Sequence, residues 1–353
     1  MGGQTLAAID VGSNTVRLLI AEVERLPRQR GSAGPGLNQG SCANWQIRRL
    51  RAEIRTTRLG ERQVARAEPG FRAGLGPSFI SLAALERTVA ALKEYQEIVA
   101  SYRPAGVWAV GTSALREAAN REEVLVTIAK ETGFAVEIID GAREGELGYR
   151  GASLVLAEER MRRTWAQAGW DEAALTLPPV VIDIGGGSTE ITASKPGGGP
   201  ELQALSFPLG SVRCTRVATT LAEAQALLED GLVATGMRLP PSDIAPASRP
   251  VIGIGGTITA LGAMDLGLKS YDPGQVHGHI LRRSAVKEWW ERLALAAPAE
   301  RQELLAFDPP RAEIITAGAM ILYAVLLVLG VGQVIVSDTG LLHGMLISFN
   351  PTR

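Results

Sequence analysis

The chain has 353 residues, 46% of them hydrophobic and 21% charged, with a formal net charge of −1. That length suits two domains with separate cores, and the composition excludes a disordered chain. The near-zero charge supplies no global basic field for nucleic acid, so a polyanionic substrate has to meet a local cluster of Arg and Lys.

Cys42 and Cys214 are the only cysteines and lie far apart. Such sparse use excludes a disulfide scaffold and a cysteine-built metal site, and it suits a reducing cytosol, so a cytoplasmic location is expected. The opening MGGQTLAAIDVG has no basic segment and no long apolar run, so it does not read as a signal peptide.

Leu6–Val11 and Val16–Val23 are apolar, β-rich runs joined by a short turn, which predicts a hairpin. Residues 27–44, rich in Gly, Pro, Ser and Asn, read as a flexible excursion before strand-like alternation resumes over Trp45–Thr57. Arg48, Arg49, Arg51, Arg55 and Arg58 follow that alternation and read as a solvated strand face. Ser78 is placed to cap a helix running to about Tyr102. Then come a strand at Gly106–Val110, a turn at Thr112–Ser113, a helix over Leu115–Thr132, a strand at Val136–Ile139 and a helix over Glu144–Ala157.

The second half repeats this grammar. Strands are expected at Val180–Ile184, Ile191–Ala193, Leu202–Phe207, Val251–Ile254 and Gln333–Val336. Helices are expected after Gly255-Gly256-Thr257 and over Ser284–Ala296, Arg311–Leu329 and Leu341–Ile347. Ile314–Val331 is long and apolar enough to raise a transmembrane reading. Arg311 and Glu313 just before it, Thr316 and Gly318 within it, and the strand-like QVIVSD after it make it a buried core helix instead. Strands alternating with helices give an α/β class.

A repeat stands out. Asp10-Val-Gly-Ser-Asn-Thr-Val-Arg and Asp183-Ile-Gly-Gly-Gly-Ser-Thr-Glu align without gaps, each leaving one buried strand and entering another. Duplication of a strand–turn–strand unit predicts two similar lobes across a cleft. Glycines let backbone N–H groups approach an anion, and hydroxyls at Ser13, Thr15, Ser188 and Thr189 add donors without bulk. Asp10 and Asp183 are hard oxygen ligands of the kind Mg2+ takes, and Glu190 sits beside the same turn. Tight hairpins that merely need glycine are the alternative, more easily held for one copy than for two. A dinucleotide fingerprint is excluded because it opens a helix, and Glu190-Ile-Thr-Ala reads as a strand. His277 and His279 lack a third metal ligand and read as turn or core residues; His343 has no evident partner.

AIDVGSNTVRLLIAEV, VGTSALREAAN, IIDGAREGELGYRGA, VIDIGGGSTEIT, SFPLGSVR, GIGGTITALGAM and VSDTGLLHGML occur in that order. From Ala8 to about Met345 the chain thereby resembles the exopolyphosphatase and guanosine pentaphosphate phosphohydrolase family. The resemblance implies the two-lobed acetate kinase–sugar kinase–Hsp70–actin fold, α/β with a ribonuclease H-like core in each lobe. The lobes would span residues 1–140 and 141–337, with 338–353 returning to the first. It implies Mg2+-dependent hydrolysis of terminal phosphoanhydride bonds in polyphosphate or in guanosine pentaphosphate, with polyphosphate or guanosine penta- or tetraphosphate as the partner. The near-zero charge and the core-helix reading of Ile314–Val331 point to no nucleic-acid or membrane partner.

Carried over, Glu144 falls on the family's catalytic glutamate, which orients and deprotonates the attacking water; from the residues alone it reads as a solvated charge. Asp183 and Glu190 fall on carboxylates of the metal and catalytic centre, with Asp10 opposite. Gly12, Ser13, Asn14 and Thr15 form one phosphate loop, with Arg17 beside it, and Gly185, Gly186, Gly187 and Ser188 form the other. Thr112, Ser113 and Arg116 match a third phosphate-contacting segment, and Gly255, Gly256 and Thr257 a fourth. Without the resemblance, Arg116 reads as a partner for Glu117 or another neighbour.

Some positions depart from the family pattern. Glu146 stands where Arg is usual, and Thr339 and His343 replace residues common near the end. The chain resembles the short form without C-terminal helical domains, which points to shorter substrates or to a homodimer that completes the channel. A kinase of the same fold and a non-catalytic (p)ppGpp-binding sensor are the competing readings.

Overall fold

The computed structural model describes residues 3–26, 44–63, 78–167, 174–195, 201–237 and 249–350. The excursion expected over 27–44 lies outside these residues, apart from Asn44.

The first sheet begins with β1 (Gln4–Val11), β2 (Thr15–Arg25) and β3 (Trp45–Thr56). A two-residue pair, β4 (Arg62–Gln63) with β5 (Phe79–Ile80), precedes helix α1 (Leu82–Tyr102). Next come β6 (Gly106–Gly111), α2 (Ser113–Glu117), α3 (Arg121–Thr132) and β7 (Val136–Ile138). Helices α4 (Gly141–Ala152) and α5 (Glu159–Gln167) lead to the second sheet. That part runs β8 (Val180–Ile184), β9 (Thr189–Ser194), β10 (Leu202–Phe207), α6 (Ser211–Val217), α7 (Leu221–Thr235) and β11 (Val251–Ile254). It continues as α8 (Gly256–Asp265), α9 (Pro273–Val276), β12 (Ile280–Arg282), α10 (Arg283–Leu295) and α11 (Pro298–Leu304). The chain closes with α12 (Ile315–Val328), β13 (Gln333–Val336) and α13 (Leu341–Ile347).

The sheets have the orders β3-β2-β1-β6-β7 and β10-β9-β8-β11-β13-β12. In each, an antiparallel meander joins a parallel strand through its innermost member: β1 beside β6, β8 beside β11. The repeat read from sequence is therefore a repeat of topology. It extends to register, since Asp10 faces Arg17 and Asp183 faces Glu190 across their hairpins. It extends to the closing bonds as well: Gly12 N–H donates to Thr15 O (3.0 Å) and Gly185 N–H to Ser188 O (2.9 Å).

Helix α1 shows how pattern becomes packing. Ala84, Thr88, Ala91, Leu92, Tyr95 and Val99 recur at helical spacing and are buried against the first sheet. The buried Tyr95 hydroxyl donates to Val16 O (2.9 Å), so the ring enters the core without an orphaned polar atom. The helix cap is Ser81, which accepts from Ala84 N; Ser78, placed there by the sequence reading, instead donates to Glu117 O. The helix expected over Leu115–Thr132 is broken at Ala118, which is extended. Asn120 explains the break: its amide bonds both the N–H and the C=O of Ile80, tying the chain to β5 rather than continuing the helix.

Helix α12, from the segment that raised a transmembrane reading, is buried and packs against α10 and α7. Among the described residues no helix is long and apolar enough to cross a membrane. Helix α13 packs against α4, β1 and β2, and its Leu341, Met345 and Leu346 share a core with Leu6, Ala8, Leu19 and Leu147. It therefore ties the helix carrying Glu144 to the first sheet.

Candidate active site between the sheets

The two Asp-headed turns meet between the sheets. A side chain on Gly186 would lie 3.1 Å from Ser13 Cβ and 3.3 Å from Asn14 N, so the turns are in direct contact. Backbone carbonyls brace each of them. Asn14 O accepts from Thr57 N and Arg58 N, and Ser13 O from Gly60 N. On the other side Gly185 O accepts from Ser211 N, and Gly186 O from Val212 N and Arg213 N. Thr189 Oγ1 donates to Leu209 O, fixing the end of the second turn.

Glu144 reaches this place because of how α4 begins. Asp140 caps the helix, its carboxylate accepting Arg143 N–H (2.7 Å), which sets Glu144 in the first turn. The helix starts at Gly141, earlier than the sequence reading, and Ser153–Ala157 form a 3-10 turn. Gly141, Gly145, Gly148 and Gly151 are spaced along one face of it. A Cβ at Gly145 would come 2.6 Å from Thr192 Oγ1 and 2.9 Å from Ala204 Cβ, so glycine there lets the helix lie directly on β9 and β10. Four glycines weaken a short helix, but they hold Glu144 close to Glu190. The sequence reading missed this spacing, although it is visible in GAREGELGYRG.

Glu144 is 8% exposed. Its partner is Arg116 Nη1 at 3.1 Å, and the same nitrogen donates to Ile139 O (3.0 Å). Arg116 thus pairs with the candidate base and not with Glu117. Burial holds the Glu144 carboxyl well above the usual range; Glu190 pushes the same way, Arg116 opposes, and Asp183 and Asp10 add to the rise. Burial, then Asp183, lifts Glu190 to about 7, against the Ser206 and Ser188 hydroxyls. Ser206 Oγ donates to Glu190 Oε1 (2.7 Å). Loss of hydration lifts Asp183, half-buried at the end of β8, to about 6, with Arg17 opposing and Asp10 reinforcing.

Arg17 donates to Asp10 Oδ2 through Nε (2.9 Å) and Nη2 (2.6 Å). Burial works against its charge, but Asp10, Asp183 and Glu144 outweigh it and hold the guanidinium above its ordinary pKa. Four carboxylates therefore face one another with two arginines among them, an electrostatic arrangement of the kind that marks functional sites.

The remaining expected residues fall around this cluster. Thr112 precedes α2 and is buried, as is Ser113. Thr15 opens β2, facing Thr56. Gly255 has φ 92°, and a Cβ there would lie 2.7 Å from Asp183 Oδ1, so both conformation and space demand glycine. Gly256 lies against the Arg311 guanidinium, and buried Thr257 fits against Gly318. Next to them a cavity of about 450 Å3 is lined by Arg17, Arg49, Thr259, Tyr271, Phe307 and Arg311, among others. Tyr271 and Phe307 form a tilted ring pair 6.4 Å apart.

The arginines of β3 divide. Arg48, Arg51 and Arg55 pair with Glu22, Glu53 and Glu94, while Arg49 turns to the cavity, 3.8 Å from Asp338. Arg58, beyond the strand in a left-handed conformation, pairs with Glu313. The unusual Glu146 pairs with Arg143 (3.0 Å). His277 and His279 bond Glu158 and Asp265, as turn or core residues would. His343 lines the cavity, and burial pushes its pKa down to about 3, with His277, Arg49 and Arg17 adding to the fall.

Mg2+ was expected on Asp10, Asp183 and Glu190. Among the described residues no three His, Cys, Asp or Glu side chains form a ready-made metal cage. The donor set nonetheless fits this ion. Asp10 Oδ1 and Glu190 Oε2 are buried acceptor oxygens without a hydrogen-bond partner. Mg2+ is commonly held by one or two carboxylates, water and substrate phosphates rather than by a protein cage.

Residues 41–353 match the Ppx/GppA phosphatase family. Exopolyphosphatase 2 of Mycobacterium tuberculosis is 30% identical over 360 residues, covering 97% of this chain and 98% of that protein. The solved PPX-GPPA enzyme of Aquifex aeolicus superposes with a TM-score of 0.65 at 28% identity, over 98% of this chain and 99% of that one. An exopolyphosphatase structure from Cytophaga hutchinsonii shares the fold at 23% identity, with a TM-score of 0.68 over 98% and 97% of the two chains. The two-sheet architecture is thus the two-lobed, actin-like fold of those enzymes, and the chain belongs to the Ppx/GppA phosphatase family.

Proposed function

We propose that this protein hydrolyses terminal phosphoanhydride bonds, releasing phosphate from inorganic polyphosphate or from guanosine pentaphosphate. The observation that carries the reading is the buried Glu144, raised in pKa and held by Arg116 beside Asp183, Glu190 and Asp10. A kinase of this fold would place its base against an acceptor hydroxyl and would need an adenosine pocket, whereas a hydrolase needs the base only against water.

In this reading Arg116 and the amides and hydroxyls of the two turns hold the terminal phosphoryl group. Glu144 accepts one proton of a water whose oxygen attacks the terminal phosphorus in line. The bond to the bridging oxygen breaks, and phosphate leaves with a chain one unit shorter. Phosphoryl transfer depends on positioning and charge neutralisation more than on covalent help. Asp10, Asp183 and Glu190 would hold Mg2+, which when bound neutralises phosphate charge.

The lobes in this account are residues 1–140 and 141–337, with 338–353 returning to the first; packing of α13 on β1 and β2 supports that return. The aromatic pair and arginines of the 450 Å3 cavity beside Gly255 and Gly256 favour a nucleoside-bearing substrate as a second one.

A phosphate-release assay over polyphosphates of graded length, guanosine pentaphosphate, pyrophosphate and ATP, with and without Mg2+, tests the reading. Mg2+-dependent release from either of the first two supports it. ADP formation that requires an acceptor and yields no free phosphate would replace it with a kinase.

A further inference from the structure

We propose that Arg213 and the Ser113 hydroxyl form a subsite for one phosphate group of an oligophosphate chain, and that Glu117 fills this subsite until the chain displaces it. The inference rests on the hydrolase reading above and adds two residues, Arg213 and Glu117, that the reading does not use.

A groove of about 1120 Å3 opens on the side of the turns lined by Ser13, Gly186 and Gly187. At its inner end Ser113 Oγ donates to Glu117 Oε1 (3.0 Å). Arg213 Nη2 donates to both Glu117 oxygens at 2.6 Å, and Arg213 Nε to Gly187 O at 2.7 Å. Ser113 is 3% exposed and the Arg213 side chain 20%. A side chain on Gly187 would collide with Ser113 Oγ and come within 2.9 Å of Ser13 Oγ, so these donors close around the second turn. A hydroxyl and a guanidinium converging on two oxygens of one anion match a phosphate as well as a carboxylate.

The two partners come from opposite sides of the cleft. Glu117 ends α2, beside the first sheet, and Arg213 lies in α6, which grips the second turn. Arg216 Nη1 bonds Gly60 O (2.8 Å) and Arg58 bonds Glu313 (3.0 Å) across the same divide. Of these three contacts, only that of Glu117 puts a carboxylate against a phosphate-turn donor set. The groove is also lined by Glu61, Glu223, Asp230 and Arg216, and of its two described arginines Arg213 is the one bonded to the second turn, through Gly187 O.

The test is calorimetric titration of tripolyphosphate and of GTP, with Mg2+, into the Glu144→Gln protein and into the same protein carrying Glu117→Gln or Arg213→Met. Phosphate release by the otherwise native chain is measured in parallel, and thermal unfolding checks that each variant folds. Glu117→Gln keeps shape and a hydrogen-bond acceptor while removing the competing charge. It should tighten both ligands about two- to five-fold, the scale of a partly exposed ion pair, and Arg213→Met should weaken both by at least that factor. Unchanged or weaker binding by Glu117→Gln, or tightening confined to GTP, overturns the subsite. If the native chain releases phosphate while Glu117→Gln fails to tighten, the subsite alone falls. If it neither binds tripolyphosphate nor releases phosphate, the hydrolase reading falls and the subsite with it.

Discussion

Arg116 meets Glu144 across 3.1 Å, and the pair joins a helix of the first sheet to the first turn of a helix laid on the second. Charge on Glu144 is opposed by burial and by three other carboxylates, with Arg116 opposing the rise. Arg116→Met should therefore move the acidic limb of the kcat/KM profile to higher pH, and Arg116→Lys should restore part of the shift. A profile that keeps its position while falling in height would assign Arg116 to phosphate binding alone.

The proton on Glu190 makes stability depend on pH in a predictable direction. Its native pKa of about 7 exceeds the ordinary 4.5, so the native state holds a proton that the unfolded chain has released. Stability is present in full below about 4.5 and falls as pH rises through about 7. Glu190→Gln removes this term. The variant should gain on the native chain between pH 5 and pH 8, by up to a few kcal/mol, in urea unfolding without Mg2+. A constant difference between the two across that range would contradict the assignment. Comparing the two proteins at each pH matters because His343, held neutral, contributes a slope of opposite sign between about 3 and 6.5.

Helices α4 and α13 cross backbone against backbone. A Cβ on Gly344 would collide with Leu147 O, and one on Gly151 with Gly340 O. Gly344→Ala should cost about 1–3 kcal/mol by overpacking and lower kcat, because α4 carries Glu144. Gly332→Ala, with nothing within 4 Å of the added carbon, should stay within about 0.5 kcal/mol of the native chain. Equal effects of the two substitutions in urea melts would remove the crossing from the account.

Much of this arrangement was legible in the sequence because it rests on local signals. The turns at Asp10 and Asp183 are short, glycine-bearing and repeated, and their registers coincide in the folded chain. Apolar runs such as Val180–Ile184 and Ile315–Val328 announced strand and helix by length alone. What escaped depends on partners distant in sequence. Ser78 lost the cap of α1 to Ser81 by bonding Glu117, 39 residues away. The break at Ala118 follows from Asn120 binding Ile80, 40 residues away. Helices α6 and α7 were not anticipated, although Thr220 and Glu223 form a capping box that marks the start of α7. For Glu144 the local pattern pointed to solvent. Its burial comes from the glycine face of α4, whose meaning appears only once β9 and β10 are beneath it.

The central claim is that Glu144 activates water. Phosphate release by Glu144→Gln, measured beside tripolyphosphate binding by the same protein, tests it most directly. The account predicts a loss of about 10²–10⁴-fold in kcat, the usual contribution of a positioned base, with folding and binding retained. Turnover near that of the native chain would contradict it.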